Sequence, residues 1–320
     1  MIIANQVTVI GCGLMGPGIA TCAALAGHPT VLQGRSPEHT NRGVDAAHKN
    51  LVELKKGGLI DPEQVDTASG LLRGEANLEA AVNGSFLVIE AISEKLAKKQ
   101  ALFAKLDRLT AADVILTSNT SGLRITDIAG QVGRPERTAT THFWFPGHLV
   151  PLVEIVMSEH TSPKIAESLR TLFLRWGKAP VIVKKDLPGQ LANRIFQAII
   201  REATHIVQSG LASPEDIDTA IKMGMGIRFP VWGALEHIDA VGLDLALSVQ
   251  NQVLPGLYNS PEAVGFLKNL VGEGNLGYKT GKGFYNWQVK DMKALAAKRN
   301  RFIMQAVRIV RELNKDKNSR

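Results

Sequence analysis

Three glycines at the spacing G-x-G-x-x-G stand early in this sequence, in the run Gly11-Cys12-Gly13-Leu14-Met15-Gly16, directly after the β-branched stretch Val7 to Ile10. After a strand and before an Ala-rich helix, each glycine has a task. Gly11 permits the tight turn, Gly13 lets a pyrophosphate approach the backbone, and Gly16 lets strand and helix pack closely. The helix N-terminus then presents free N–H groups and its positive dipole end to the diphosphate, with Leu14 and Met15 inside the binding loop. An acidic residue at the end of the next strand normally holds the ribose hydroxyls. Here Gln33-Gly34-Arg35-Ser36 places Gly34 at that point. Without the carboxylate a 2′-phosphate is no longer repelled, and Arg35 with Ser36 offers it a partner, so NADP(H) is expected over NAD(H). In the alternative, Arg35 is an exposed loop residue and Gln33 with the backbone holds NAD.

Hydride removal from a secondary alcohol requires the alcohol proton to leave as well. Imidazole is the side chain whose charge changes near neutrality. Of the eight histidines, His142 follows a strand-like run and His148 lies in a Gly147-containing loop shortly after it; residue type alone leaves both open. Glu154 sits between Val153 and Ile155, where an unpaired carboxylate would be costly. Either an imidazole or an arginine would satisfy it. Cys12 and Cys22 make no disulfide framework and no zinc cluster, and no metal is expected.

Strands and helices must position these groups. Thr30 to Leu32, Phe86 to Glu90, Val114 to Thr117 and Thr138 to Thr141 read as short strands, with helices over Leu14 to Leu25, Pro37 to Lys56 and Leu96 to Leu109 between some of them. A further pair, Leu152 to Val156 and Pro180 to Val183, brackets a helix over Pro163 to Trp176. Alternation of this kind predicts an α/β fold, a Rossmann-type doubly wound parallel sheet covered on both faces. After Lys185-Asp186-Leu187-Pro188-Gly189 the periods become helical, over Gln190 to Gln208, Pro214 to Met223 and Ala294 to Leu313. The expected division is therefore 1–186 and an all-helical second domain, 187–320. Met223, Met225 and Trp232 are expected to pack in a core or dimer surface, and Gly224-Met225-Gly226 to allow close helix approach.

With 320 residues, 45% hydrophobic and 21% charged, the chain reads as globular. Its net charge of +7 comes from Lys290 to Arg320, which holds ten basic and three acidic residues. The body is neutral, so nucleic acid is not an expected partner; the basic tail reads as a solvated helix face, with Leu295, Phe302, Ile303, Ala306, Val307, Val310 and Leu313 on the other face. Met1 to Gln6 lacks a signal-peptide pattern and no apolar run is long enough to span a bilayer, so no membrane partner and a cytoplasmic location are expected.

Several of these motifs occur together in one order. Val88-Ile89-Glu90-Ala91-Ile92-Ser93-Glu94-Lys95-Leu96 precedes Lys99; then follow Ser118-Asn119-Thr120-Ser121, Arg134-Pro135-Glu136-Arg137, His142-Phe143-Trp144 and Pro151-Leu152-Val153-Glu154. Asn193-Arg194, Ser213 to Asp218 and Gly281-Lys282-Gly283-Phe284-Tyr285 come after them. With the glycine loop, they make nearly the whole chain resemble the L-3-hydroxyacyl-CoA dehydrogenase family. The resemblance implies a dinucleotide-binding domain, a helical domain that dimerises, an active site in the cleft between them and a place in fatty acid metabolism. It makes His142 the general acid/base and Glu154 its orienting carboxylate. Ser121 and Asn193 would hydrogen-bond the reacting oxygen or the carbonyl beside it, although Ser121 could equally cap the next helix. Glu94, Lys99 and Asn119 would touch the nicotinamide half of the cofactor. An acyl-CoA is the leading substrate and a free 3-hydroxy acid or related small alcohol the second.

One position departs from the pattern. The family commonly has Asn three residues after the histidine, where this chain has Phe145 before Pro146. An apolar ring for an anchoring amide suggests a rearranged pocket. Phe145 and the missing ribose acid would also fit a dinucleotide-binding dimer that has lost catalysis and serves a structural or sensory role. The 6-phosphogluconate type of NADP-linked dehydrogenase shares the glycine loop but uses a lysine on the second domain's first helix. Ala192-Asn193-Arg194-Ile195-Phe196-Gln197 carries none.

Overall fold

The structure is a computed structural model and describes residues 6–315. Most of the signal-peptide reading (Met1 to Asn5) and the last residues of the basic tail (316–320) lie outside them. The chain divides into two compact units, the break falling after Asn193, where the sequence pattern changes near Asp186.

The first unit runs β1 (Gln6–Ile10), α1 (Gly16–Leu25), β2 (Thr30–Gln33), α2 (Pro37–Lys56), α3 (Pro62–Gly70), β3 (Leu72–Glu75), α4 (Leu78–Val82), β4 (Ser85–Glu90), α5 (Leu96–Leu109), β5 (Ile115–Ser118), α6 (Ile125–Ile128), β6 (Thr138–Phe143), β7 (Leu152–Val156), α7 (Pro163–Arg175) and β8 (Ala179–Val183). Together the strands form one eight-stranded sheet in the order β3-β2-β1-β4-β5-β6-β7-β8. Strand order reverses between β1 and β4, and at such a switch point the carboxyl ends of the strands leave a crevice for a ligand. The core strands are β-branched and bury both faces: Val7, Val9, Leu87, Val88, Ile89 and Leu116 have no exposed surface. Near-continuous apolar runs are what a sheet covered on both sides requires.

Two features differ from the sequence expectation. β3 reads Leu-Arg-Gly-Glu, with neither alternation nor β-branching, yet pairs in parallel with β2; edge strands carry charge because one side faces water. The sheet is also not wholly parallel, since β6 and β7 run antiparallel. The short connection Trp144 to Pro151 allows that reversal, whereas a parallel crossover needs about a dozen residues.

The second unit is helical: most of α8 (Ala192–Ser209), then α9 (Pro214–Thr219), α10 (Ala234–Val241), α11 (Leu243–Val253), α12 (Gly265–Gly272) and α13 (Met292–Lys315). Met223 and Trp232 are exposed in the single chain, which leaves them the surface and not the core of the two places expected. A Cβ on Gly224 would meet nothing within 4 Å, whereas one on Gly226 would stand 3.1 Å from the Ile221 carbonyl oxygen. One expectation is corrected here. The helix expected from Gln190 begins at Ala192, because Gln190 has left-handed backbone with φ 54°. Among the described residues no helix is long and apolar enough to cross a membrane.

Candidate active site

The carboxyl ends of β1, β4, β5 and β6 lie along one edge of the sheet, and the glycine loop leaves β1 there. Gly11 has φ +117°, and a Cβ on it would stand 2.5 Å from the Ala91 carbonyl oxygen. A Cβ on Gly16 would stand 1.7 Å from the Gly11 oxygen, so loop and helix approach too closely for any side chain. Above Gly13 nothing lies within 4 Å. Two glycines are thus demanded by packing and the middle one by open space before the N-terminus of α1. This cradle fits a diphosphate.

At the adenosine end, Gly34 proves to be a packing requirement. A Cβ there would meet His39 Nδ1 at 2.9 Å, Cys12 Sγ at 3.0 Å and Thr40 Cγ2 at 3.1 Å. Gln33 donates its amide to the Gly34 and Ala76 carbonyls at 2.8 and 2.9 Å. Ser36 caps α2, accepting from His39 N at 3.3 Å. Arg35 is exposed, and Glu38 in the first turn of α2 is held below the usual carboxylate range by the Ser36 hydroxyl.

His142 and Glu154 are direct partners in the antiparallel β6–β7 register. Cross-strand neighbours place their side chains on the same face within about 5 Å, and His142 Nδ1 meets Glu154 Oε2 at 2.8 Å. Glu154 has no exposed surface. Its Oε2 also accepts Trp144 Nε1–H at 2.9 Å, and its Oε1 accepts the N–H groups of Leu191 and Ala192 at 2.9 and 2.8 Å. Burial pushes this carboxyl up, but the bonds from His142, Trp144 and the two backbone groups outweigh it and hold it at about 2. The carboxylate therefore only accepts and Nδ1 carries the hydrogen, so that in the neutral ring Nε2 presents its lone pair. That nitrogen faces the Ser121 hydroxyl at 3.1 Å.

The alternatives left open by residue type have other surroundings. His148 meets Glu53 of α2 at 3.0 Å instead of the pair. The cap of α6 is Arg124, not Ser121.

A second polar knot joins the ends of β4 and β5. Glu90, wholly buried, accepts Lys99 Nζ at 2.7 Å, Ile92 N at 2.6 Å and Ser118 Oγ at 2.6 Å. Lys99 is itself buried and reaches Glu94 at 3.3 Å. Glu94 gathers the Thr120 hydroxyl and the N–H groups of Ser121 and Gly122. Burial raises its pKa, but the Thr120 hydroxyl and Lys99 more than offset this and lower it overall. Asn119 accepts from Phe143 N at 2.8 Å, tying β5 to β6. Asn193 lies in the first turn of α8, next to the residues that hold Glu154. Glu90, Thr120, Trp144 and Gln190 carry this geometry without having been singled out by spacing. They are isolated polar or aromatic residues whose partners lie on other elements. Among the described residues no group of three or more His, Cys, Asp or Glu side chains could hold a metal ion.

The sequence matches two family models: 3-hydroxyacyl-CoA dehydrogenase, NAD binding domain, over residues 6–187, and the C-terminal domain of the same family over 189–287. It is 32% identical over 306 residues to 5-formyl-3-hydroxy-2-methylpyridine 4-carboxylate 5-dehydrogenase of Mesorhizobium japonicum, covering 96% of this chain and 98% of that protein. Mitochondrial hydroxyacyl-coenzyme A dehydrogenase of Mus musculus is 38% identical over 298 residues, covering 90% and 92%. A crystal structure described as the former kind of enzyme, an NAD+ dependent dismutase, superposes with TM-score 0.90 at 31% identity, covering 97% and 99%. The chain belongs to the 3-hydroxyacyl-CoA dehydrogenase family.

Proposed function

We propose that this chain is a dinucleotide-dependent dehydrogenase that interconverts a secondary alcohol of the 3-hydroxyacyl type and its ketone, with His142 as the proton-transferring group. The observation that carries this reading is the imidazole held between a buried carboxylate at Nδ1 and the Ser121 hydroxyl at Nε2. A nicotinamide dinucleotide in the glycine cradle supplies the hydride acceptor or donor. Glu154 fixes the tautomer and stabilises the imidazolium. His142 Nε2 takes the alcohol proton in oxidation and returns it to the developing alkoxide in reduction. Ser121, and Asn193 at the start of α8, are proposed to hydrogen-bond the reacting oxygen or the carbonyl beside it. Glu94 and Asn119 hold the loop and strand end on which the nicotinamide half would rest.

An acyl-CoA thioester is the leading substrate class, as the names of several relatives suggest. Phe145, 46% exposed where the family pattern has an amide, supports a second reading: a free hydroxy acid or small ring alcohol, such as the pyridine compound in the name of one relative. NADP(H) in preference to NAD(H) is the finer proposal; it rests on Gly34 and exposed Arg35, with Glu38 opposing. A homodimer through the helical unit is proposed from its uncovered apolar residues.

Consumption of NADH or NADPH with acetoacetyl-CoA tests the reading, and absence of turnover with any 3-keto compound would favour the retired dinucleotide-binding dimer. Titration with both cofactors tests the finer point: NADPH should bind more tightly, and Arg35→Ala should weaken NADPH alone. NADH binding more tightly, with equal loss of both in Arg35→Ala, would refute it.

A further inference from the structure

Gln190 combines two features that a fold does not normally retain. Its φ of 54° lies in the left-handed region, directly after Gly189 at 79°, and side chains other than glycine are strained there. It is 5% exposed. Its Nε2 donates to the Thr120 carbonyl at 2.7 Å. Because a carbonyl only accepts, the amide orientation is decided by chemistry, and Oε1 must point the other way. Oε1 is buried and accepts no hydrogen bond among the described residues. Glycine would adopt this backbone freely, and an apolar side chain would remove the unmatched acceptor. Strain of this kind persists where the surroundings impose it, most often beside a functional group.

The neighbours show what is imposed. Thr120 precedes Ser121, whose hydroxyl meets His142 Nε2. Gln190 precedes Leu191 and Ala192, whose N–H groups hold Glu154 Oε1, while Glu154 Oε2 holds His142 Nδ1. The bonds close a circuit through both nitrogens of one imidazole. Gln190 is its clasp: the side chain grips the serine arm and the peptides that follow grip the carboxylate arm.

We propose that Gln190 is a positioning residue that sets Ser121 and Glu154 against the two nitrogens of His142. The proposal rests on the reading of His142 as the acid/base group. Misplacing a reacting group by about 1 Å costs on the order of 10²-fold in rate. Gln190→Gly, which relieves the backbone, is expected to leave the unfolding temperature equal or higher. Its kcat for acetoacetyl-CoA reduction should fall by about 10- to 100-fold, with KM for the dinucleotide little changed. Gln190→Met, which keeps the volume without the amide, should lose kcat similarly. Gln190→Asn, which tolerates left-handed backbone and retains an amide, should recover part of the loss.

The ring-nitrogen NMR spectrum of His142 needs no turnover. It should show one tautomer protonated at Nδ1 in the wild type and exchange between tautomers in Gln190→Gly and Gln190→Met. A wild type that turns over neither acetoacetyl-CoA nor any free keto acid or ring alcohol would overturn the dehydrogenase reading, while the ring spectra would still decide the clasp. Wild-type kcat and ring spectrum in Gln190→Met, or a Gln190→Gly that loses stability while its folded fraction keeps full kcat, would overturn the role of Gln190.

Discussion

A carboxylate buried without exposed surface normally tends to neutralise; Glu154 stays charged because its four acceptor sites meet four donors. That has a pH consequence. Its folded pKa of about 2 lies below the ordinary 4.5, so the unfolded chain binds the proton more readily. The stability it contributes is complete above about 4.5 and is lost as the pH falls toward 2. Chemical denaturation at stepped pH should show this decline, and Glu154→Gln should flatten it. Glu94, also lowered, adds in the same direction. For activity, His142→Gln keeps a donor to Glu154 but cannot exchange the proton. It should fold with near wild-type unfolding temperature and lose about 10²- to 10⁴-fold in kcat; a loss within tenfold would exclude His142 as the acid/base.

The three loop glycines make separable demands on the element that binds the cofactor. In Gly16→Ala the new methyl would overlap the Gly11 carbonyl, so β1 and α1 must part, and a loss of about 3 kcal/mol or more in urea unfolding is expected, as for overpacking at its upper end. Gly13→Ala meets open space within the protein and should keep its stability while losing dinucleotide affinity by about tenfold, near 1.4 kcal/mol, read by nucleotide fluorescence titration. Equal behaviour of the two variants would contradict the cradle. The β4–β5 junction is set by a buried ion pair, and Lys99→Met would strand the Glu90 carboxylate with only Ile92 N and Ser118 to satisfy it. A loss of about 3–5 kcal/mol is expected, the usual cost of removing one member of such a pair.

For the molecule as a whole, the two units are built differently. The first packs a continuous apolar core on the sheet, whereas among the described residues of the second, Val264 and Met304 are its buried hydrophobics. The second leaves Leu211, Met223, Val231 and Leu235 largely exposed and holds an apolar cavity of about 870 Å³ lined by Phe196, Met225, Phe229, Phe284 and others. The amphipathic tail helix α13 follows this pattern: Ile303 and Val307 are half-buried, but Leu295, Phe302 and Ile309, spaced seven apart, are exposed. These exposed residues are what the proposed homodimer would cover. Sedimentation should give twice the 34.6 kDa of one chain, and Phe302→Asp should shift the equilibrium toward the single chain; an unshifted dimer would place the contact elsewhere.

The order of strands and helices around the glycine loop was legible in one dimension, because periodicity, caps and tight turns are local properties of neighbouring residues. The loop declared its ligand for the same reason. The edge strand β3 was not legible: Leu72-Arg73-Gly74-Glu75 is a strand only because β2 offers it backbone partners. Nor could residue type choose between His142 and His148. Which of them meets Glu154 is decided by the antiparallel β6–β7 register, which brings that glutamate from twelve positions away to the His142 imidazole, while His148 meets α2. Trp144 and Gln190 acquire their partners in the same way. A hydrogen bond is a contact in space, and the chain records where each donor stands but not which acceptor the fold will carry to it.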